Sequence, residues 1–588
     1  MNNQKIKIGV YVCSCKNTIK SDEIMRITNF ASSLPYVSLV KVHGFLCSED
    51  GKLLIQNDIK TYGLEKILIL ACSPYFHWKS FRRCIKDVGL NEYFVLMVNI
   101  KRMFAQQREQ QLSLDFIRNG VAYLASLKPL EPLKSPVKKS CLVVGGGISG
   151  IESAINIANL GFNVFLIERK PSIGGHAAQI FRVFPSMDYM IDILSSKIDA
   201  LLKSPNIHVL TNSELQEISG FVGNFKAKVR IKPRYVRPEA CTRCGECAKV
   251  CPIEVPNEFN ENLDTRKAIY LPSPLATPLA YVIDENHCTK CYECVKVCKY
   301  NAIDFTQESM EKELEVGAIV VTSGYDLFDA KVLEEYGYGR YKDVITGLAL
   351  ERILSPDGPT SGLLKRPSDG KVPKRIAFIQ CAGSRDKRFN IYCSRICCMY
   401  AIKQAILIKE KYTDTEVAIF YMEIRAFGKG YEDLYERAQI QRVRFIRGKV
   451  ARIIQTPKKS LLVQAEDTLA GRVIRSEFDM VVLSTAIVPS ADSDKLAEIL
   501  SIRRGEDGFF KESHLKTCPV DTPVSGIYLA GVSQGPKDIT DSITQALAAA
   551  QRVSSILSAA EVIIEPLIAR VNEELCDGCR ICELACSY

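Results

Sequence analysis

The chain has 588 residues, 47% hydrophobic and 24% charged, with a formal net charge of +10 and mean hydropathy of +0.01. It is too apolar and too weakly charged for a disordered chain, and no run approaches the roughly 18 apolar residues of a membrane span. Its 23 cysteines do not fit a small secreted disulfide scaffold, and clustered thiols in a chain of this size read as metal ligands or redox groups.

Residues 1–126 read as a small α/β unit, with strands predicted at Ile6–Val12 and Ile67–Leu70. Met1 to Lys7 lead into a strand rather than a signal-peptide core, so a cytoplasmic protein is expected. Cys13, Cys15, Cys47 and Cys72 each follow a predicted strand, which would bring them to one sheet edge as candidate ligands; buried packing cysteines are the alternative. A Pro-punctuated linker occupies 127–139, its prolines removing backbone donors and fixing φ.

Residues 140–235 begin a nucleotide-binding pattern. Gly145, Gly147 and Gly150 form G-x-G-x-x-G between a strand and a helix, letting the backbone approach a pyrophosphate at the helix N-terminus. The strand Val164–Ile167 leads to Glu168, about 20 residues on and placed for ribose hydroxyls, and Gly174-Gly175 allow a second close backbone pass. Further along, Gly526–Gly531 reads as a strand entering a Gly-rich turn before a small-residue helix through Ala550, like the second flavin segment of disulfide-reductase-like flavoproteins. FAD is therefore expected rather than NAD.

Between these segments, residues 236–305 hold two cysteine arrays with two, two and three intervening residues: Cys241, Cys244, Cys247, Cys251 and Cys288, Cys291, Cys294, Cys298. Three thiolates of such a run face one 4Fe–4S cube and the fourth faces its neighbour. Cys241, Cys244, Cys247 and Cys298 are expected to hold one cluster, and Cys288, Cys291, Cys294 and Cys251 the other. Zinc sites use pairs split by longer gaps.

The α/β pattern resumes over 306–570, with strands at Ala318–Thr322, Arg375–Gln380 and Glu416–Met422 and a helix at Met399–Lys411. No Gly-rich turn follows Arg375–Gln380; Cys381-Ala382-Gly383-Ser384-Arg385 stands where a pyridine nucleotide would need one. Cys381, Cys393, Cys397 and Cys398 read either as a further cluster site, with Cys397-Cys398 at a helix start, or as a redox dithiol, since Cys393 and Cys397 lie one helical turn apart. Residues 571–588 repeat the array as Cys576, Cys579, Cys582 and Cys586; with no matching array after it, either the chain is truncated or another element supplies a ligand. Cys84, Cys141 and Cys518 read as packing residues. Each cluster with four thiolates nets about −2, so four or five would cancel most of the +10. The basic balance is then no nucleic-acid signal.

Gly9–Cys15, Ala71-Cys72-Ser73-Pro74, Phe378–Asp386, Tyr392–Lys403, Ile424–Gly430 and Gln534–Asp538 resemble the family of A-type subunits of CoB–CoM heterodisulfide reductase, including homologues outside methanogens. The resemblance implies a thioredoxin-reductase-like FAD core with an inserted ferredoxin domain, an N-terminal cluster domain and a C-terminal ferredoxin segment. It implies a 4Fe–4S site at Cys381, Cys393, Cys397 and Cys398, and places Lys403 at the flavin's reactive face. The expected partners are subunits of the B and C types, a hydrogenase, formate dehydrogenase or similar input subunit, ferredoxin and a second copy of the chain. Met103-Phe104 stands where relatives carry a cysteine, which leaves the N-terminal ligand set open. The function so implied is flavin-based electron bifurcation; a passive electron relay and an independent NAD(P)H:disulfide oxidoreductase are the rivals. The absence of cysteine from Leu142 to Ala240 opposes the glutathione-reductase form of the last.

Overall fold

Four parallel strands and the helices between them build the first part of the chain. The computed structural model describes residues 6–16, 19–101, 110–564, 566, 569 and 571–582. It separates into two compact units, Met1–Leu133 with Ile563–Asp577, and Lys134–Val562 with Gly578–Tyr588.

In the first unit, β1 (Ile8–Cys13), β2 (Val37–His43), β3 (Lys66–Ala71) and β4 (Val95–Asn99) lie in the order β2-β1-β3-β4, all parallel. The two central strands are buried at every position, which is why they read as unbroken apolar runs. Helices α1 (Ser21–Ser32) and α4 (Gln110–Ser126) supply Ile27, Ala31, Ile117 and Leu124 to one core cluster; α2 (Glu49–Tyr62) and α3 (Pro74–Lys86) supply Ile55, Ile59, Phe81 and Ile85 to another. Ser48 caps α2 by accepting from Gly51 N at 3.2 Å, and Pro74 opens α3. Cys47 and Cys72 stand just ahead of these two helix starts.

The second unit contains two five-stranded parallel sheets. In the first, β5 (Ser140–Val144), β6 (Asn163–Ile167), β7 (Ile207–Leu210), β8 (Ala318–Val321) and β14 (Ile527–Leu529) run in the order β14-β8-β5-β6-β7. The strand order reverses between β5 and β8, and helix α5 (Ile148–Asn159) follows β5 at that switch point. In the second sheet, β9 (Val344–Thr346), β10 (Arg375–Ala382), β11 (Glu416–Tyr421), β12 (Arg444–Arg447) and β13 (Met480–Thr485) run β9-β13-β10-β11-β12, with the reversal between β10 and β13. Crevices at such reversals, beyond the carboxyl ends of the strands, are where doubly wound sheets take ligands.

Helix α6 (Gly347–Leu354) follows β9, and α7 (Cys397–Lys411) lies between β10 and β11. Met399, Ala401, Ile402, Ala405, Ile406 and Ile408 of α7 are all buried, so this helix is enclosed on most sides. A further helix, α8, spans Ile539–Leu557 beyond β14. It starts later and runs longer than the composition suggested, because a short turn at Gly531–Gln534 and the Gly535-Pro536 pair precede the Asp538 cap.

Residues 232–305 carry two short helices, Glu246–Lys249 and Glu293–Val297, and two small antiparallel strand pairs. Buried Arg234 anchors this insertion, donating to Pro171 O at 2.6 Å, Ala280 O at 2.8 Å and Tyr281 O at 3.0 Å. Among the described residues, no helix is long and apolar enough to cross a membrane.

Candidate functional site

The switch point of the first sheet is cut to accept a dinucleotide. A Cβ on Gly145 would lie 2.3 Å from Thr322 O, and one on Gly150 would lie 1.9 Å from Gly145 O, so both positions demand glycine for close strand–turn–helix packing. Gly147 caps α5 with no side chain bonded across it, leaving first-turn amides for an anion. Gly174 N donates to Gly146 O at 2.7 Å, and Gly175 passes against Gly147. Glu168 is buried; its carboxylate accepts from Gly146 N at 2.7 Å and Lys170 N at 2.8 Å, which fixes it while leaving lone pairs for hydroxyl donors. From the far end of the chain, Gly531 closes on α5, where a Cβ would sit 2.1 Å from Ser149 Oγ.

Gly145, Gly147, Glu168 and Gly175 border a cleft that is lined also by Tyr325, Glu351, Tyr400, Lys403 and Lys537. Lys403 is 3% exposed and donates at 2.6 Å both to Glu351 Oε1 and to Arg182 O. Glu351, equally buried, also accepts from Phe181 N at 2.9 Å and Gln404 Nε2 at 2.7 Å. Sequence reasoning reached Lys403 only through the family resemblance and missed Glu351, which no spacing rule connects to a residue 52 positions away. Lys537 was likewise missed as a site residue. Its ammonium is bonded to Gly531 O and Gly535 O, each at 2.7 Å, and to Gln534 Oε1 at 3.1 Å, and burial with nearby Arg395 lowers its pKa to about 7.

At the second switch point the chain presents thiols. The strand runs on through Cys381 to Ala382 rather than stopping at Gln380, with a register shift after Ile379 and Cys381 at φ +60. Cys397 and Cys398 are the first residues of α7, whereas Cys393 lies in the loop before it; the one-turn spacing of a helical Cys393–Cys397 dithiol is therefore not realised. Cys381, Cys397 and Cys398 are buried, with Cys397 hydrogen-bonded to both of the others. A bond from Cys397, with Arg385 and Ser384 alongside, lowers Cys381 to about 7, while Cys397 is pushed well up. Arg395 ties the loop to the second flavin segment, donating to Pro536 O at 3.1 Å and Asp541 Oδ2 at 2.9 Å.

In the inserted segment, one small cavity is lined by Cys241, Cys244, Cys247 and Cys298, and a second by Cys251, Cys288, Cys291 and Cys294. Burial and neighbouring thiols raise Cys247 to about 12 and Cys294 to about 11. Thiols packed like this resist ionising together until a cationic core is present.

In the first unit, Cys13 Sγ lies 3.1 Å from Cys15 Sγ at the carboxyl edge of the sheet. Cys72 is raised by burial and by Cys15, with Cys47 also near, and Lys101 is raised chiefly by Cys15. The sheet thus gathers all four candidates at one edge. At the C-terminus Cys576, Cys579 and Cys582 are exposed; Cys586, like Met103-Phe104, lies outside the described residues. Among the described residues no group of His, Cys, Asp or Glu closes around a single metal ion.

A fold with a dinucleotide cradle at one switch point and thiols at the other is that of an oxidoreductase moving electrons between FAD and iron–sulfur clusters. Residues 140–227 match the family described as FAD dependent oxidoreductase, and residues 240–303 match the 4Fe-4S dicluster domain. The chain is 50% identical over 598 residues to the second of the A-type iron-sulfur subunits of CoB–CoM heterodisulfide reductase in Methanopyrus kandleri, covering 100% of this chain and 91% of that protein. It is 44% identical over 591 residues to the A-type subunit of the H(2):CoB-CoM heterodisulfide,ferredoxin reductase of Methanothermobacter marburgensis, covering 99% and 90%. It is 46% identical over 592 residues to the A-type subunit of the H(2)/formate:CoB-CoM heterodisulfide,ferredoxin reductase of Methanococcus maripaludis, again covering 99% and 90%. Among solved structures, T. acidophilum thioredoxin reductase aligns over 72% of this chain and 100% of its own at 13% identity and a TM-score of 0.41. The chain belongs to the family of A-type subunits of CoB–CoM heterodisulfide reductase.

Proposed function

We propose that this chain divides an electron pair at its flavin, sending one electron to a low-potential acceptor and the other toward a disulfide-reducing partner. Bound FAD supplies exchange between two-electron and one-electron steps, and 4Fe–4S clusters carry single electrons. The observation that carries the reading is helix α7. It begins with Cys397-Cys398 and presents Lys403 to the dinucleotide cleft six residues later, about 9 Å of helix rise away.

Each residue then has a task. Gly145, Gly147 and the start of α5 hold the pyrophosphate, and Glu168 orients the ribose. Glu351 holds the Lys403 side chain aimed at the cleft; a fixed cation there would favour an anionic reduced flavin. Thiols of Cys241, Cys244, Cys247 and Cys298 bind one cluster, those of Cys288, Cys291, Cys294 and Cys251 its twin. The Cys381 group and the N-terminal group bind one cluster each. The total is four, or five with the C-terminal array.

The relatives' names give H2 or formate as electron sources and the heterodisulfide and ferredoxin as acceptors. By extension, the partners here are B- and C-type subunits, a hydrogenase- or formate-dehydrogenase-type input, and ferredoxin. The deciding experiment is to measure the two one-electron potentials of the flavin in the anaerobically purified chain. Crossed potentials, the second electron leaving at a lower potential than the first, support bifurcation. A normal order overturns it and leaves a relay.

A further inference from the structure

The loop leaving β10 holds two buried donors with no oxygen or nitrogen acceptor. Ser384 is 1% exposed and its hydroxyl reaches no such partner, and the Nη1 of Arg385 is buried without one, although its Nη2 donates to Glu423 Oε2 at 2.9 Å. Buried donors are nearly always met, so two within one short loop point to a sulfur acceptor beside them. That sulfur is Cys381, which takes hydrogen bonds from both Ser384 and Arg385, and the Arg385 charge acts on both Cys381 and Cys393.

The charge balance here is positive. Arg385 and Arg425 share a single carboxylate, Glu423, at 2.9 and 3.3 Å, and Arg425 acts on Cys393 and Cys398. The N-terminus of α7 adds its partial positive charge at Cys397. Within the inserted arrays two of the lysines are paired locally, Lys249 with Glu246 at 2.7 Å and Lys296 with Glu293 at 2.6 Å. No unmet side-chain donor lies within 241–251 or 288–298.

We infer that Ser384 Oγ and Arg385 Nη1 donate to sulfur of the cluster held by Cys381, Cys393, Cys397 and Cys398, making it the higher-potential acceptor of the second unit. The inference rests on the ligand set proposed above. Reduction adds one electron from the reduced flavin of the same chain, breaks no bond and moves no proton; the core falls from about +2 to +1. Donors and fixed positive charge favour that more negative state.

The test is a potentiometric titration of the anaerobically purified full chain, following each reduced cluster by its EPR signal, with the signal absent from Cys381→Ser assigned to this site. In the wild type this cluster should reduce before the inserted pair. Arg385→Gln should shift its reduced-to-oxidised ratio about tenfold at a given potential, a midpoint about 59 mV lower. Ser384→Ala should shift it less, in the same direction, and Arg385→Lys should recover part of the loss. A midpoint unmoved in Arg385→Gln with full iron content, or this cluster reducing after the inserted pair, overturns the inference. Should Arg385→Gln lose the cluster, unmoved midpoints in Ser384→Ala and Arg385→Lys overturn it equally. If Cys381→Ser keeps all its iron, the ligand set itself fails, and the two failures are thus distinguished.

Discussion

Replacing Lys403 with methionine removes one partner of an ion pair in which both side chains are 3% exposed and 2.6 Å apart. Glu351 would keep its bonds from Phe181 N and Gln404 Nε2 but lose its only ammonium. Breaking a buried pair in this way costs about 3–5 kcal/mol, because an uncompensated charge stays out of water. In a unit of this size that lowers the apparent Tm by about 3–5 °C in scanning calorimetry. Neutralising the carboxylate as well removes the stranded charge, so Glu351→Gln/Lys403→Met should be more stable than the sum of the single changes predicts, by about 2 kcal/mol or more. Single-variant losses that add to within about 0.5 kcal/mol would show that the two groups do not depend on each other, and would refute the role given to Glu351.

Other changes test the rest of the architecture. Gly531→Ala puts a Cβ 2.1 Å from Ser149 Oγ at a position with φ +74, so the protein should purify with little flavin, read as the flavin-to-polypeptide ratio. Cys251→Ser should alter the same EPR signal as Cys288→Ser, and Cys298→Ser the same one as Cys241→Ser; effects that follow sequence blocks instead would dismiss the crossed ligation. The Lys537 amine, lowered to about 7 from its ordinary 10.5, binds fewer protons folded than unfolded across that window. It should therefore make stability rise with pH between about 7 and 10.5, by at most about 1.4 kcal/mol per pH unit. Lys537→Met should flatten that slope in denaturant titrations run across the window, and an unchanged slope would contradict the lowered value.

Much of this protein is legible where chemistry depends on local spacing. G-x-G-x-x-G must lie between a strand and a helix because a turn that tight has no room for a Cβ, and at Gly145 and Gly150 a backbone carbonyl lies 2.3 and 1.9 Å from where one would be. The cysteine arrays are equally local, since a few residues of chain curl around one cube. Even the place of Cys381 could be foreseen, because the strand Arg375–Ala382 carries a thiol at its carboxyl end, where a nucleotide-binding turn would need glycines. Spacing did not reveal that Cys393 sits off the helix: the Ile396-Cys397 boundary depends on how the loop packs, not on the interval between two cysteines.

What tertiary structure decided is which distant groups share one low-dielectric space. Glu351 meets Lys403 across two elements, Lys537 is caged by carbonyls of its own turn, and Ser384 and Arg385 turn buried donors to the sulfur of Cys381. Charges, and the donors that steer them, act through burial and distance in three dimensions. Neither quantity is written in residue order, whereas backbone turns and ligand runs, set within a few bonds, are.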